Sequence, residues 1–414
     1  MRRTTSDWLR WLIVIALVIL LGVLLWSNYR FAVQSPGGND FLARWTGAHF
    51  WLVEGLNPYD EQVSLEAQKL IYGRPADPSK GEDIAHFVYP LPAMIFFAPF
   101  GLLPYTLARA LWMTLLEIML PILAFLGIRI AQWKAPPPTF AIIMLLSIFW
   151  YHGLRTVIVG QFAVIEAVLI AGALWAIQHD AEALAGILMG LSISKPQMAF
   201  LILPYVCIWA IRERRIQLLL WTLATSIGLI TLSILILPDW PILWLRQLVS
   251  YPTYTDLGSP ISIMLSDLSE NVSLLSWILT GGLVAYLLLE WVLSLGKGDT
   301  AFQWTAAMTL VITNLIAFRT ATTNFVVMLP ALILIFHSWA QRWGRRGHAA
   351  VWIVSFGLII GLWVLFLLTV DGNVEAPIMY LPLPIFAFVS LLWSRWWILR
   401  GSHQPSLTSQ LSLR

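Results

Sequence analysis

Apolar residues along this chain fall in long runs, near 11–26, 87–103, 105–128, 139–151, 157–177, 183–194, 197–211, 216–237, 272–293, 302–317, 325–339, 350–369 and 377–399. Many of them approach about 20 residues, the length a helix needs to cross roughly 30 Å of hydrocarbon. The strict alternation of an outer-membrane barrel is absent. The pattern predicts an all-α polytopic membrane protein with roughly 11–13 spans. Two full crossings between 87 and 128 would put Arg129 and Lys134 on the wrong side. Either 87–103 is therefore a partial, re-entrant segment, or 139–151 is too short to span.

Two polar stretches are long, 27–86 and 238–271. Within the first, Phe41, Trp45, Ala48, Trp51 and Leu52 recur at spacings of three and four, with Arg44 and Glu54 off that face, as on an amphipathic helix. Gly55-Leu56-Asn57-Pro58 ends it, glycine supplying the C-cap. Asp60 can cap a second helix, Glu61–Tyr72. Two amphipathic helices at the membrane surface follow. No Ser/Gly-rich linker divides the chain, so residues 1–400 read as a single domain, with 27–86 as its outer loop and 401–414 as a polar cytoplasmic tail.

Arginines and lysines assign the sides. Arg2, Arg3 and Arg10 place the N-terminus in the cytoplasm and the loop 27–86 outside. The first apolar run resembles a signal peptide, but no small-residue cleavage motif follows it, and an uncleaved first helix is expected. In the second half, Arg212/Arg214/Arg215, Lys297, Arg342/Arg345/Arg346 and Arg395/Arg400 alternate with basic-poor loops carrying Asp239, Asp256, Asp267, Asp371 and Glu375, which then lie outside.

Composition sharpens this picture. Hydrophobic residues make up 59% of the 414 and charged residues 11%, where soluble domains carry about 25% charge. That excludes a soluble enzyme, a nucleic-acid binder and a disordered scaffold. The single cysteine, Cys207, permits no intrachain disulfide. The seven histidines show no ligand spacing, and His49 and His86 read as surface residues of the outer loop. DxD, P-loop, GxSxG and strand-linked GxGxxG motifs are absent, so no metal site and no cofactor are expected.

Charges inside apolar runs are costly, about 2.5–3.5 kcal/mol each on insertion scales, and are the positions where function is sought. Lys195, beside the helix-breaking Pro196, is one. Arg155 in YHGLRTVIVGQ, Glu166, and Arg319 in NLIAFRTATTNF are others. A lone intramembrane cation is more often an interface residue than a ligand, but Lys195, Arg319 and Arg155 on one face would suit a phosphate or pyrophosphate head group. Glu117 and Glu290 lie near apolar helix ends without evident partners. Asp40 follows Gly37-Gly38-Asn39 and opens the first surface helix. It is either that helix's N-cap or a general base held over the mouth of the helix bundle.

These residues also carry a resemblance. Asp40-Phe41 with Gly55-Leu56-Asn57-Pro58-Tyr59-Asp60 resembles the first-loop motif of glycosyltransferase family 87. Tyr89-Pro90-Leu91-Pro92 with Pro99 and Leu103-Pro104, then Gly160-Gln161, then Ala185-Gly186, Gly190-Leu191 and Lys195-Pro196 follow in the family's order. Arg319-Thr320-Ala321-Thr322-Thr323-Asn324 is similar to the late turn of one branch, and stands where the mannoside branch has a Ser-Pro and a histidine. The resemblance implies a GT-C-like bundle whose first outer loop supplies the catalytic acid residue, Asp40. It also implies a polyprenyl-phosphate sugar as donor, and cell-envelope mannosyltransferase-like chemistry.

The expected function is an integral-membrane glycosyltransferase. It would move a sugar, mannose or another hexose or pentose, from a polyprenyl-phosphate donor to a lipid or glycan acceptor at the outer face of the cell membrane. Transfer would be inverting, with Asp40 as base and Lys195, Arg319 and Arg155 on the donor phosphate. Tyr59, His86, Gln161 and Asn324 would contact sugar or acceptor. The lipid bilayer is a partner and nucleic acid is not. The rival readings are a transporter or flippase for a lipid-linked sugar, which predicts internal repeat symmetry, and a non-catalytic polytopic membrane protein.

Overall fold

From Leu12 to Leu25 no side chain carries a polar group. A backbone surrounded by hydrocarbon can satisfy its amides only within itself, and this stretch lies inside one helix, Thr4–Gln34. The computed structural model describes residues 4–35, 40–80, 82–250, 259–266, 272–318, 320–372 and 375–401. Arg319, Gly37-Gly38-Asn39, Asp256, Asp267 and the tail from 402 lie outside the described residues. Among the described residues the chain is helical throughout its regular structure, without a β-strand. This is an all-α, multi-pass membrane protein.

Among the described residues, eight helical stretches are long and apolar enough to cross a bilayer: Trp8–Gln34, Tyr105–Ile130, Pro137–Val159, Ile216–Ile236, Ser273–Ser294, Thr322–Trp343, Arg345–Thr369 and Pro377–Leu399. Four shorter apolar helices, Leu91–Gly101, Ala163–Gln178, Glu182–Ser194 and Ile202–Arg212, account for much of the difference from the expected 11–13. Each of these runs is cut by a local backbone event that hydropathy does not register. Pro90 and Pro92 keep the helix from starting before Leu91, so Leu91–Gly101 is one of the shorter apolar helices. The run at 139–151 forms the helix Pro137–Phe149, which breaks at Trp150 in extended backbone (ψ 154°) and is followed at once by Tyr151–Val159, a 23-residue stretch in all.

The described chain divides into two compact units. The first comprises Met1–Ile118, Val157–Gln161 and Leu237–Thr255. Its outer-loop helix runs Asp40–His49 and continues in a wide π-turn, Phe50–Glu54, ended by Gly55 at φ 70°. Phe41, Trp45 and Ala48 are buried, as the periodicity predicts, but Leu52 is exposed, because the π-turn rotates the last residues off the apolar face. Gly101 allows the helix Met94–Gly101 to abut this one; a Cβ there would lie 2.8 Å from the backbone of Ala48. Glu61–Tyr72 forms the second surface helix, with Asp60 at its N-cap position and Gly73 as its left-handed C-cap. Asp60 makes no side-chain capping bond, contrary to its expected role. A third short helix, Trp240–Ser250, fastens the loop: Trp244 Nε1 donates to Val88 O at 3.1 Å and Gln247 Nε2 to Tyr59 O at 3.1 Å.

The second unit comprises Met119–Thr156, Phe162–Ile236 and Asp256–Arg414. Its interior is built on Ala163–Gln178, Asp299–Ile316 and Thr322–Trp343, the last almost wholly buried. Small residues let helices close in, as membrane packing requires: Gly186 and Gly190 of Glu182–Leu191 press against Leu218, Trp221 and Thr225 of Ile216–Ile236. Two of the acids in apolar runs find partners at long range. Glu290 is gripped in a bidentate pair by Arg395, at 3.0 and 3.1 Å, and in the first unit Glu117 accepts from Asn28 Nδ2 at 2.7 Å. Both acids thus have the partners that the sequence did not reveal.

Candidate active site

Asp40 is the first residue of its helix, where the helix dipole favours an anion. Its side chain is 35% exposed, so one edge of the carboxylate is open. The rest is held. Oδ2 accepts a 2.9 Å hydrogen bond from Gln161 Nε2, and Arg44 Nη1, one turn along the helix, lies 3.6 Å from Oδ1. The carboxylate therefore reaches across to a residue 121 positions away.

Why Gln161 arrives there follows from the glycine before it. Gly160 has φ 70°, a left-handed conformation that side chains resist. A Cβ on Gly160 would sit 2.5 Å from Phe41 Cβ, so the chain passes against the residue that follows Asp40. Trp112 Nε1 donates to Gly160 O at 2.9 Å, and its ring stacks on Phe41 at 5.0 Å. The Gly-Gln and Asp-Phe motifs are two halves of one contact.

Gln161 is itself oriented. Tyr89 OH donates to its Oε1 at 2.7 Å, which turns the amide nitrogen toward Asp40. Tyr59 OH donates to Tyr89 O at 2.8 Å, and burial holds the Tyr59 phenol far above its usual range, so it stays a donor. Arg44 lies over the Tyr89 ring, 4.9 Å from its centroid. Tyr59 and Gln161 are both buried and face the carboxylate's support, not open space. Arg44 and Tyr89 belong to the constellation although the sequence reading gave neither of them a role in the site. Arg44 stands four residues from Asp40, and that spacing is the available signal.

His86 is near the same loop but off this chain of bonds. Its Nδ1 lies 2.5 Å from Ser64 Oγ, and neither it nor His49 is a surface residue: both are half-buried, His49 stacking on Trp45 at 4.7 Å. Burial pushes the His86 imidazole down in proton affinity, against the opposing pull of Asp83 and Glu61. Folded His86 thus stays neutral where the unfolded chain, titrating near 6.5, takes up a proton. Its contribution to stability is present above that value and lost as pH falls below it. The melting midpoint should therefore drop between about pH 7.5 and about pH 5.5 by more in wild type than in His86→Gln. Equal drops would contradict the assignment.

The remaining candidates lie in the second unit. Lys195 is completely buried between the turn Ser192–Ser194 and the short helix Pro196–Ala199, at φ −132° and ψ 76°. Pro196 forces this by disfavouring helical backbone in the residue before it. The Lys195 charge acts on Glu166, also completely buried. Arg155 Nε lies 3.4 Å from Glu375 Oε1, and its guanidinium sits over Phe366 at 5.3 Å. Asn324 is buried in the turn Thr322–Met328, and its Oδ1 has no partner among the described residues. Asp40, Tyr59 and Gln161 are joined through Tyr89. Arg155 is paired with Glu375, whereas the Lys195 charge acts on Glu166, so the two described cations face different acids.

A half-open carboxylate, oriented by an amide, in a multi-pass helical protein is an arrangement suited to taking a proton from a bound hydroxyl. No curated protein matches the chain. Residues 87–260, which include Tyr89, Arg155, Gln161 and Lys195, match the model of glycosyltransferase family 87.

Proposed function

We propose that the protein transfers one sugar from a polyprenyl-phosphate donor to a hydroxyl of a lipid or glycan acceptor, in a single inverting step. The observation that carries this reading is the Asp40 carboxylate, open on one side and fixed on the other by Gln161 and Arg44. Asp40 takes the acceptor's proton as the acceptor oxygen bonds to the anomeric carbon. The bond from that carbon to the phosphate oxygen breaks on the opposite face, and the electron pair leaves with the polyprenyl phosphate.

In this reading Gln161 and Tyr89 position the base, and Tyr59 braces Tyr89. His86 and Asn324 remain the side chains assigned to sugar or acceptor hydroxyls. The donor phosphate gains a negative charge as the bond breaks, and Arg155, Lys195 and Arg319 are the cations assigned to it. Lys195 acts from the interior of its unit, as a fixed charge. The N-terminus is assigned to the cytoplasm and the Asp40 loop to the outer face.

The stereochemistry of the product tests the single displacement. A β-linked polyprenyl-phosphate sugar should yield an α-linked product by nuclear magnetic resonance, and an α-linked donor a β-linked one. Retention would require a covalent sugar–enzyme intermediate and would overturn the role given to Asp40.

A further inference from the structure

Glu375 is bonded more heavily than a loop carboxylate needs to be. Tyr151 OH donates to its Oε1 at 2.6 Å, Thr322 Oγ1 donates to its Oε2, and Arg155 Nε approaches Oε1 at 3.4 Å. Tyr151 and Arg155 are one turn apart on the helix Tyr151–Val159, and Thr322 opens the late turn. The Glu375 side chain is only 16% exposed and that of Arg155 24%. Two segments distant in sequence thus converge on one carboxylate.

Arg155 is held in a particular way. Its Nε edge is turned to Glu375 and one face of its guanidinium lies on Phe366. Among the described residues nothing takes its two Nη groups. That pair is the edge of a guanidinium that matches two oxygens of a phosphate. An unanchored arginine must give up rotamer freedom when it binds an anion; this one has given it up already. The contact to Nε is also the longest of those on Glu375 Oε1, so the neutralisation of Arg155 is partial.

We propose that Glu375 is the positioning residue for Arg155, presenting its Nη edge to the phosphate of a polyprenyl-phosphate ligand. This rests on the donor class proposed above. The shared probe is farnesyl phosphate, with farnesol as the ligand that keeps the chain and lacks the phosphate. Binding of each to the full-length protein in detergent micelles is measured by calorimetry.

Wild type should bind farnesyl phosphate at least about tenfold more tightly than farnesol. Arg155→Gln should lose about tenfold in affinity for the phosphate, and Glu375→Ala about as much. Glu375→Gln keeps an acceptor for Arg155 Nε and should stay within about threefold of wild type. Glu375→Ala placed on Arg155→Gln should cost nothing further, since the residue it positions is gone. If Glu375→Ala does not melt cooperatively, Glu375→Asp, which withdraws the carboxylate by one methylene, takes its place with the same expected loss.

The proposal is overturned if Glu375→Ala binds as tightly as wild type or more tightly, if Glu375→Gln is as weak as Glu375→Ala, or if the double variant is additive. A wild type that treats farnesyl phosphate and farnesol alike overturns the donor class and this inference with it. A wild type that discriminates while the Glu375 variants are unaffected overturns this inference alone.

Discussion

Asp40→Asn should lower the turnover of sugar transfer by about 10³-fold, the usual weight of a positioned general base, which is about 4 kcal/mol of barrier. The substitution removes one ionisable group and little else. Asparagine has the same shape as aspartate, and its amide oxygen can still accept from Gln161 Nε2, so the bond now 2.9 Å long is preserved. Burial is not disturbed either, because the side chain is already one-third exposed. The loss should therefore appear in turnover, with the donor bound as before and the melting midpoint unchanged. Asp40→Ala should lose as much turnover and also free Gln161 and Arg44 from their partner. The comparison separates the chemical role from the structural one. If Asp40→Asn transfers sugar at the wild-type rate, Asp40 is a structural anchor and the base lies elsewhere.

Gly160→Ala should be nearly as damaging, for a reason that has nothing to do with proton transfer. Alanine at φ 70° costs about 1–2 kcal/mol in backbone strain alone. Its methyl group would also meet Phe41 Cβ at 2.5 Å, a contact that neither backbone can absorb without moving. The move available is separation of residues 160–161 from the start of the Asp40 helix, with Trp112 pulled along by its bond to Gly160 O. A displacement of about 1 Å at the base is enough to cost about 10²-fold in rate. Gly160→Ala should accordingly fall by that amount in turnover and lose about 3 kcal/mol of stability. A variant at wild-type stability and activity would show that the close approach of Gly160 to Phe41 does not position the site. Wild-type turnover with lowered stability would show that the packing matters and the alignment of Asp40 does not.

Much of the local structure can be read from the chain because its causes are local. Gly55 and Gly73 end their helices in left-handed backbone, and the Gly-x-Asn-Pro stretch punctuates the outer loop as turn chemistry requires. The apolar face of Phe41, Trp45 and Ala48 is legible for the same reason. Helix length within apolar runs is less so. Hydropathy registers composition over a window, whereas a proline pair at 90 and 92, or a single lysine–proline step at 195–196, divides a run in the space of one turn.

The site is legible only in part. Asp40 draws attention as an acid at a helix start in a chain with few charges, and Gly160-Gln161 as a motif. The bond between them spans 121 positions and has no periodicity to announce it. Glu290 with Arg395, and Glu375 with Tyr151, Arg155 and Thr322, are hidden for the same reason. Each is a pairing imposed by tertiary packing on residues that look solitary in sequence. Tyr89 is visible as part of Tyr-Pro-Leu-Pro, yet its hydroxyl contact to Gln161 depends on where residues 157–161 pass.

The central claim is that one carboxylate, Asp40, drives release of a polyprenyl phosphate from a sugar donor. It is tested most directly by measuring free polyprenyl phosphate released from a panel of polyprenyl-phosphate sugars, with a membrane lipid and glycan extract supplying acceptors. Wild type and Asp40→Asn are compared after both are shown to bind the donor. Release from one donor by wild type, with release by Asp40→Asn lower by about 10³-fold, is the result the account predicts. Equal release by the two proteins would contradict it.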